Sequence, residues 1–427
     1  MEAAELVHIS AVIFLHFNLV HAKHLWITCE VPEPQDKKVR RTVTEPELSN
    51  WKLLSDFRRR LAQAQEDFGL APSFKDPRRQ LRAADYLSLF LFGLLNPVVR
   101  TMRGLCEASH LERVRREVCG SQVSLGSFSE IQHLIEPELL ENVFGDLAAE
   151  LPSQGGGDPR LDGQDWRACD GSFFAALPRM SWALYGAGRS GTHKAARLHL
   201  SYQVLEGKPV RAQLTEGRRC ERAVWKEQWQ RGEAYIGDRY FSENYQLLGQ
   251  LQELDCRYVL RLREPATITV EEELPVSPAD RQRGVLRQAW AYLGARPQTR
   301  SVRVRVLWLE QVADSQMILV SNVEPQSLPA ELVVLLYRRR WQVELFFRWL
   351  KCLLGCKRWL AESRQGATLQ IYLALIAAVL LQLYTGRRPT RRMLELIQFY
   401  LMGVASLDEL IAGLQRQLRR FKTAKGN

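Results

Sequence analysis

Residues 337–351 read YRRRWQVELFFRWLK, a stretch in which one carboxylate, Glu344, stands among arginines, aromatic side chains and a closing lysine. At about 100° per residue, four polar side chains fall within a sector of roughly 60° and share one face of a helix. They are Tyr337, Arg340, Glu344 and Lys351. Apolar residues fill the rest of the pattern. The stretch therefore predicts an amphipathic helix packed on a sheet.

Glu344 has two interpretations. On a solvated helix, Arg340 and Glu344 form an ordinary ion pair at four-residue spacing. The other interpretation depends on two more acids at predicted strand ends: Asp170 in ACDGSFF and Asp238 after EAYIG. Each acid, taken alone, is typical of a turn or cap. Together, two carboxylates from strands and one from a helix above them can converge on one site.

Such a site favours hard divalent ions. Carboxylate oxygens are the ligands that Mg²⁺ and Mn²⁺ prefer. Two ions about 4 Å apart activate a water or a 3′-hydroxyl on one side of a phosphodiester and stabilise the leaving oxygen on the other. Charged Arg340 and Lys351 have no lone pair for a metal, so we expect them to contact DNA phosphates instead.

The charge distribution points to a polyanionic partner. The chain has 427 residues and a net charge of +11, and residues 337–427 hold 17 Lys and Arg against 5 Asp and Glu. Nucleic acid is the commonest partner of such a surface, with an anionic membrane as the alternative. Residues 367–386 are apolar and long enough to span a bilayer, but they include Gln370 and Gln382. We interpret them as a buried helix and expect no membrane association.

The pattern along the chain predicts an α/β protein. Residues 45–152 have helical periodicity and predict an all-α domain, and a Gly and Pro segment at 152–160 separates this domain from the rest of the chain. Residues 160–390 predict a mixed sheet flanked by helices, interrupted by a β-rich insertion at about 264–314. Residues 391–427 predict a basic helical tail, and residues 1–44 have no assignment.

Three motifs carry a family resemblance. ACDGSFF, YIGDRYF and YRRRWQVELFFRWLK resemble the acidic motifs of the DDE transposases of bacterial insertion sequences. The last matches the Tyr-x2-Arg-x3-Glu-x6-Lys signature of the family named after insertion sequence four. The resemblance covers residues 120–385. It implies a ribonuclease-H-like catalytic core with a β insertion between the second Asp and the Glu.

The resemblance also implies roles for single residues. Asp170, Asp238 and Glu344 are the implied catalytic metal ligands, for two Mg²⁺ ions that Mn²⁺ can replace. The implied DNA contacts are Tyr337, Arg340, Lys351, Arg239 beside the second ligand, and Arg348 on the Glu344 helix. The chain departs from the family where an Asn-Asp or similar polar pair is common, since it has Arg218 to Glu221 there. A base-stacking tryptophan is not singled out, because Trp290 and Trp308 are equally suited to core packing.

The leading functional hypothesis is a transposase that acts as a homodimer on double-stranded DNA. It binds the terminal inverted repeats through the helical region 45–152, cleaves the ends and joins them to target DNA, in the bacterial cytoplasm at the nucleoid. Two alternatives stay open: a catalytically inactive DNA-binding relic, and a metal-dependent nuclease of the same fold.

Overall fold

The computed structural model describes residues 52–68, 81–99, 101–152, 158–188, 191–294, 302–312, 315–353, 359–385 and 390–423. The unassigned segment 1–44 and residues 153–157 of the Gly and Pro segment lie outside these ranges. The described part has a mixed α/β architecture, with one mixed sheet and helices packed on it.

The N-terminal described region is helical. It comprises α1 (Lys52–Phe68), α2 (Ala83–Leu95), α3 (Met102–His110), α4 (Glu112–Val114, followed by a π-helical turn at Arg115–Cys119), α5 (Leu125–Ile131) and α6 (Pro137–Ala149). Thr101 and Ser124 cap α3 and α5, because each side chain accepts a backbone N–H from the first turn of its helix. Helix α2 is apolar on nearly all sides and is buried almost throughout.

The central sheet begins after this region. Its strands are β1 (Trp166–Ala175), β2 (Leu184–Gly188), β3 (Gly191–Gln203), β4 (Lys208–Glu216), β5 (Ala234–Gly237) and β6 (Arg257–Arg261). Helix α7 (Glu221–Glu227) precedes β5, and α8 (Tyr245–Glu253) connects β5 to β6. Strand β3 pairs antiparallel with β1, β2 and β4, whereas β1, β5 and β6 run parallel. Strand β5 is buried at every residue, as a central parallel strand should be.

The predicted β-rich segment consists of antiparallel strands. They are β7 (Ile268–Leu274), β8 (Val285–Leu293) and β9 (Arg303–Val312), with the short helix α9 (Pro278–Gln282) between the first two. Strand β10 (Ser315–Ser321) pairs with both β9 and β6. The segment therefore continues the central sheet edge to edge, in the order β2-β3-β1-β5-β6-β10-β9-β8-β7.

The C-terminal helices differ from the sequence prediction at one point. Residues 337–351 were expected to form one helix, but α10 (Ala330–Arg339) ends before Arg340 and α11 (Trp341–Leu353) begins after it. The Arg340 N–H donates to Tyr337 O at 3.0 Å, three residues back, which tightens the backbone there. The prediction of a continuous helix is therefore wrong, although Arg340 keeps helical dihedral angles.

Helix α12 (Arg364–Thr385) lies at the centre of the main core. By length and composition alone this helix could cross a membrane. However, 89% of its 18-residue apolar stretch is buried inside the protein. It contacts α2, α6, α11 and β4, and the Tyr372 hydroxyl donates to Ala212 O at 2.8 Å. Two helices come after it: α13 (Arg391–Leu401) and α14 (Leu407–Thr423). One hydrophobic core thus joins the N-terminal helices to the sheet.

Candidate active site

The register of β1 and β5 brings two of the predicted acids side by side. The last residue pair between these parallel strands is Ala168 with Ile236. Asp170 and Asp238 each lie two residues beyond that pair, on neighbouring strands that lie about 4.8 Å apart in a sheet. Asp238 directly follows β5, as predicted. The prediction that Asp170 ends a strand is wrong, because β1 continues beside β3 to Ala175. Asp238 is also a turn residue, because its Oδ1 accepts the Tyr240 N–H at 2.9 Å. Asp238 is therefore a turn residue, as an acid at a strand end typically is, and it also lies on the strand next to Asp170.

Arg340 connects the third acid to the first. Its guanidinium lies 2.5 Å from Glu344 Oε1 and 3.7 Å from Asp170 Oδ2. The exposed fractions of these side chains are 15% for Arg340, 23% for Asp170 and 30% for Glu344. The Arg340–Glu344 pair expected on a solvated helix does form, but it faces the sheet and reaches Asp170. The structure thus gathers Asp170, Asp238 and Glu344 beside the middle of β1, where this strand extends beyond β5.

The electrostatics of the site match this gathering. Burial raises the pKa of Asp170 to about 7, the positive charge of Arg340 opposes the rise, and the charges of Glu221, Asp238 and Glu344 add to it. The neighbouring acids raise the pKa of Arg340 against the effect of its own burial. Neutral and ionised Asp170 are therefore close in free energy near neutral pH, so a cation in this site decides which form is present.

The three carboxylates are ligands of the kind that a hard divalent ion prefers, but Arg340 lies between two of them. Three carboxylates are available, but no group of three His, Cys, Asp or Glu side chains in the described ranges is arranged, as it stands, to hold a metal. The guanidinium of Arg340 supplies the positive charge between Asp170 and Glu344. A cation held by these acids would share with this guanidinium the space between Asp170 and Glu344.

The predicted DNA contacts lie in different surroundings. Arg340 lies 5.9 Å from the centroid of the Tyr337 ring, and Tyr337 is half-buried. The Lys351 Nζ lies 5.4 Å from the centroid of Phe174, on the same strand as Asp170. Arg239 and Arg348 are exposed. Arg340 is therefore a partner of the acids in this structure, Tyr337 lies beside Arg340, Lys351 lies beside β1, and Arg239 and Arg348 lie at the surface.

Sequence analysis did not single out a fourth acid, Glu221, at the start of α7. Its Oε2 accepts a hydrogen bond from the Arg197 guanidinium, and its Oε1 lies 2.6 Å from the position that a Cβ on Gly171 would take. Gly171 is thus needed beside Asp170, because a side chain there would meet Glu221 and Arg197. The sequence signal was weak: an acid separated from β4 by four residues, Gly217, Arg218, Arg219 and Cys220.

The two tryptophans considered for base stacking both pack in the sheet. Trp290 is buried and Arg303 lies 4.3 Å from its ring centroid. Trp308 is half-buried against a second, smaller hydrophobic cluster that includes Tyr235 and Tyr258. The Arg287 guanidinium lies 4.5 Å from the centroid of the Trp308 ring. In this structure both serve core packing.

Sequence comparisons find transposases. The family model described as the transposase DDE domain matches residues 161–380, just over half of the chain. A transposase for insertion sequence element IS5377 of Geobacillus stearothermophilus is 25% identical over 235 residues, which cover 54% of this chain and 60% of that protein. A transposase of Sinorhizobium fredii is 29% identical over 117 residues, covering 27% and 32%. The chain spans less than two thirds of the length of either curated relative.

Among solved structures, the piggyBac transposase synaptic complex with hairpin DNA resembles the chain at a TM-score of 0.40 and 9% identity. The likeness covers 88% of this chain and 82% of that one.

Proposed function

Because the chain belongs to the family of DDE transposases of insertion sequences, we propose that it binds the terminal inverted repeats of its element and catalyses metal-dependent cleavage and strand transfer of DNA. The observation that carries the proposal is the gathering of Asp170, Asp238 and Glu344 beside the middle of β1, where this strand extends beyond β5. Three acids from separate parts of the chain share this place and influence one another's ionisation. We assign the chain to the insertion-sequence-four family and its sheet to the ribonuclease-H-like fold.

The proposed catalytic residues are the three acids. The family generally uses divalent metal ions, and here Asp170, Asp238 and Glu344 would hold two Mg²⁺, or Mn²⁺ in their place. When bound, such ions supply activation of the attacking oxygen and stabilisation of the leaving oxygen. The protein's own contribution is position. The β1–β5 register fixes the two aspartates, and α11, packed on the sheet through Val343 and Phe347, fixes Glu344.

Arg340 has two proposed positions. Without DNA it pairs with Asp170 and Glu344, as in the structure. With ions held by the three acids, its planar guanidinium would be free to grip a phosphate with two parallel hydrogen bonds. Tyr337, Lys351, Arg239 and Arg348 contact the phosphates farther from the scissile bond.

The proposed partners are double-stranded DNA, as transposon ends and as target, and a second copy of the chain on that DNA. The helical region 45–152 binds the ends, residues 160–390 form the catalytic domain, and the basic helical tail 391–427 adds affinity for the phosphate backbone. The protein acts in the bacterial cytoplasm at the nucleoid, with no role for a membrane.

Three variants, each replacing one carboxylate by a neutral amide, test the proposal: Asp170→Asn, Asp238→Asn and Glu344→Gln. Each keeps the side-chain shape and removes one negative charge, so DNA cleavage in Mg²⁺ should fall by several orders of magnitude while binding to an end duplex persists. Asp255→Asn is the control, because Asp255 is an exposed acid just before β6, at the opposite end of the parallel strands. A variant that cleaves at the wild-type rate removes that acid from the site.

A comparison of substrates separates transposase from nuclease. The wild-type chain is given a duplex that carries the element's end and a random duplex of equal length. Preferential cutting and joining of the end duplex supports the transposase. Equal cutting of both without joining supports the nuclease of the same fold, and binding without cutting supports the inactive relic.

A further inference from the structure

Glu221 is a charged residue in a buried place. It is the first residue of α7, directly after the turn that ends β4, and only 7% of it is exposed. An ionised carboxylate is costly to bury unless it is paired or binds a cation. The surroundings of Glu221 therefore need an explanation beyond helix formation.

One of its two oxygens has a partner. The Arg197 guanidinium donates to Oε2, and the same guanidinium lies 4.5 Å from the centroid of the Phe173 ring. In the described part of the chain, Oε1 is buried, lies next to the Gly171 backbone N–H and makes no hydrogen bond of normal geometry. The ion pair with Arg197 therefore explains half of the carboxylate and leaves the other oxygen available.

The available oxygen lies against the candidate active site. It is 2.6 Å from the position of a Cβ on Gly171, the residue after Asp170, and the Gly171 N–H donates to Asp170 Oδ1 at 2.8 Å. Glu221 therefore lies directly beside Asp170, next to the cluster that Asp170, Asp238 and Glu344 form.

We propose that Glu221 is a fourth acid of this site, and that its carboxylate strengthens the binding of divalent ions by Asp170, Asp238 and Glu344. The proposal rests on the proposed function, since it assumes that the site takes such ions. Once Arg340 is displaced, four carboxylates face a pair of doubly charged ions, with Arg197 as a remaining counter-charge. A unit of negative charge several Å from a divalent ion changes its affinity by roughly tenfold.

A purely structural role predicts something different. If Glu221 only held Arg197, its neutralisation would lower the stability of the fold without changing the affinity for ions. Glu233 offers a matched comparison, because it is a half-buried glutamate whose side chain, 11% exposed, is also paired with arginines, Arg167 and Arg211. It precedes β5, whereas Asp238 comes after that strand, so Glu233 lies at the end of β5 away from the site.

The experiment measures Mn²⁺ binding by the full chain without DNA, from the electron paramagnetic resonance signal of free Mn²⁺. Glu221→Gln should weaken Mn²⁺ binding roughly tenfold, and Glu233→Gln should leave it at the wild-type value. Asp170→Asn reports on the proposed function. If Asp170→Asn abolishes binding while Glu221→Gln does not change it, the inference about Glu221 is overturned and the proposed function stands. If neither variant changes binding, the proposed metal site itself fails.

A second variant keeps the test decisive if Glu221→Gln does not fold. Arg197→Gln removes the positive partner of Glu221, so Mn²⁺ binding should become equal or tighter. A structural role for the ion pair predicts the opposite sign, because either loss would disturb β1 beside Asp170. Weaker binding by folded Arg197→Gln overturns the proposal.

Discussion

Replacing Arg340 by methionine should destabilise the metal-free protein, and divalent ions should reverse the loss. Removal of one partner from a buried ion pair costs about 3–5 kcal/mol. Because Arg340, Asp170 and Glu344 retain exposed fractions of 15%, 23% and 30%, solvent screening lowers the expected cost to roughly 2–3 kcal/mol. For a chain of 427 residues, this decrease in the free energy of unfolding corresponds to a fall in Tm of about 2–3 °C.

Ions should compensate because they supply the charge that Arg340 supplied. A ligand present at one hundred times its dissociation constant stabilises the native state by about 2.7 kcal/mol, which is similar to the loss. The wild-type protein should gain less from the same Mn²⁺ concentration, since Arg340 must first be displaced. The assay is thermal unfolding of wild type and Arg340→Met over a series of Mn²⁺ concentrations, without DNA.

Arg305→Met is the matched control. Arg305 is fully buried, but it donates to Gln288 Oε1 and to the Leu328 carbonyl, with no direct carboxylate partner among its hydrogen bonds in the described ranges. Its variant should lose stability that Mn²⁺ does not restore. If Mn²⁺ raises the Tm of wild type, Arg340→Met and Arg305→Met by the same amount, Arg340 does not stand in for a cation and the reasoning is refuted.

Three other predictions concern the fold, the site and the DNA. Burial lowers the pKa of His199, whose Nε2 lies 2.9 Å from Thr215 Oγ1, to about 3. As the pH falls, the unfolded chain takes up the proton first, so His199 should lower the free energy of unfolding by about 2 kcal/mol between pH 8 and pH 5. Urea denaturation of His199→Gln should show no such loss. Gly171→Ala should impair cleavage and stability through contact with Glu221, whereas Gly186→Ala, with nothing within 4 Å of its Cβ position, should do neither. Affinity for DNA should fall steeply as salt increases, because residues 337–427 carry the excess charge, and a flat dependence in a filter-binding titration would remove this region from the DNA interface.

Runs of apolar residues in the sequence predicted the strands and the buried helix, whose burial is visible in neighbouring residues. The apolar runs of β1 and β5 each result from how a strand is buried, so both strands could be predicted and Asp238 could be assigned to a strand end. Asp170 lies inside β1 instead, because pairing with β3 extends this strand to Ala175. The apolar run at 367–386 was correctly interpreted as a buried helix. These features need no knowledge of distant partners.

The remaining features depend on contacts between distant residues. The pairing of β10 with β6 makes the predicted insertion part of the main sheet, and no local pattern reports which strand covers an edge. The Arg197–Glu221 pair joins β3 to α7, so neither residue is conspicuous in sequence. The helix break at Arg340 was missed because residues 337–351 keep helical periodicity on both sides of it. Domain limits stay a prediction.

The central position of α12 has a consequence for synthesis of the chain. Helices α1 to α6 leave the ribosome before the sheet, and the helix on which α2 and α6 pack leaves after it. At bacterial rates of synthesis the interval is on the order of ten to forty seconds. During that time the part of the α2 surface that packs on α12 has no final cover, whereas α1, α3 and the π-helical turn already contact α2. A product truncated before Arg364 would lack this cover permanently, so a stop codon within the sheet should give an aggregated chain and not a folded N-terminal fragment that competes for transposon ends.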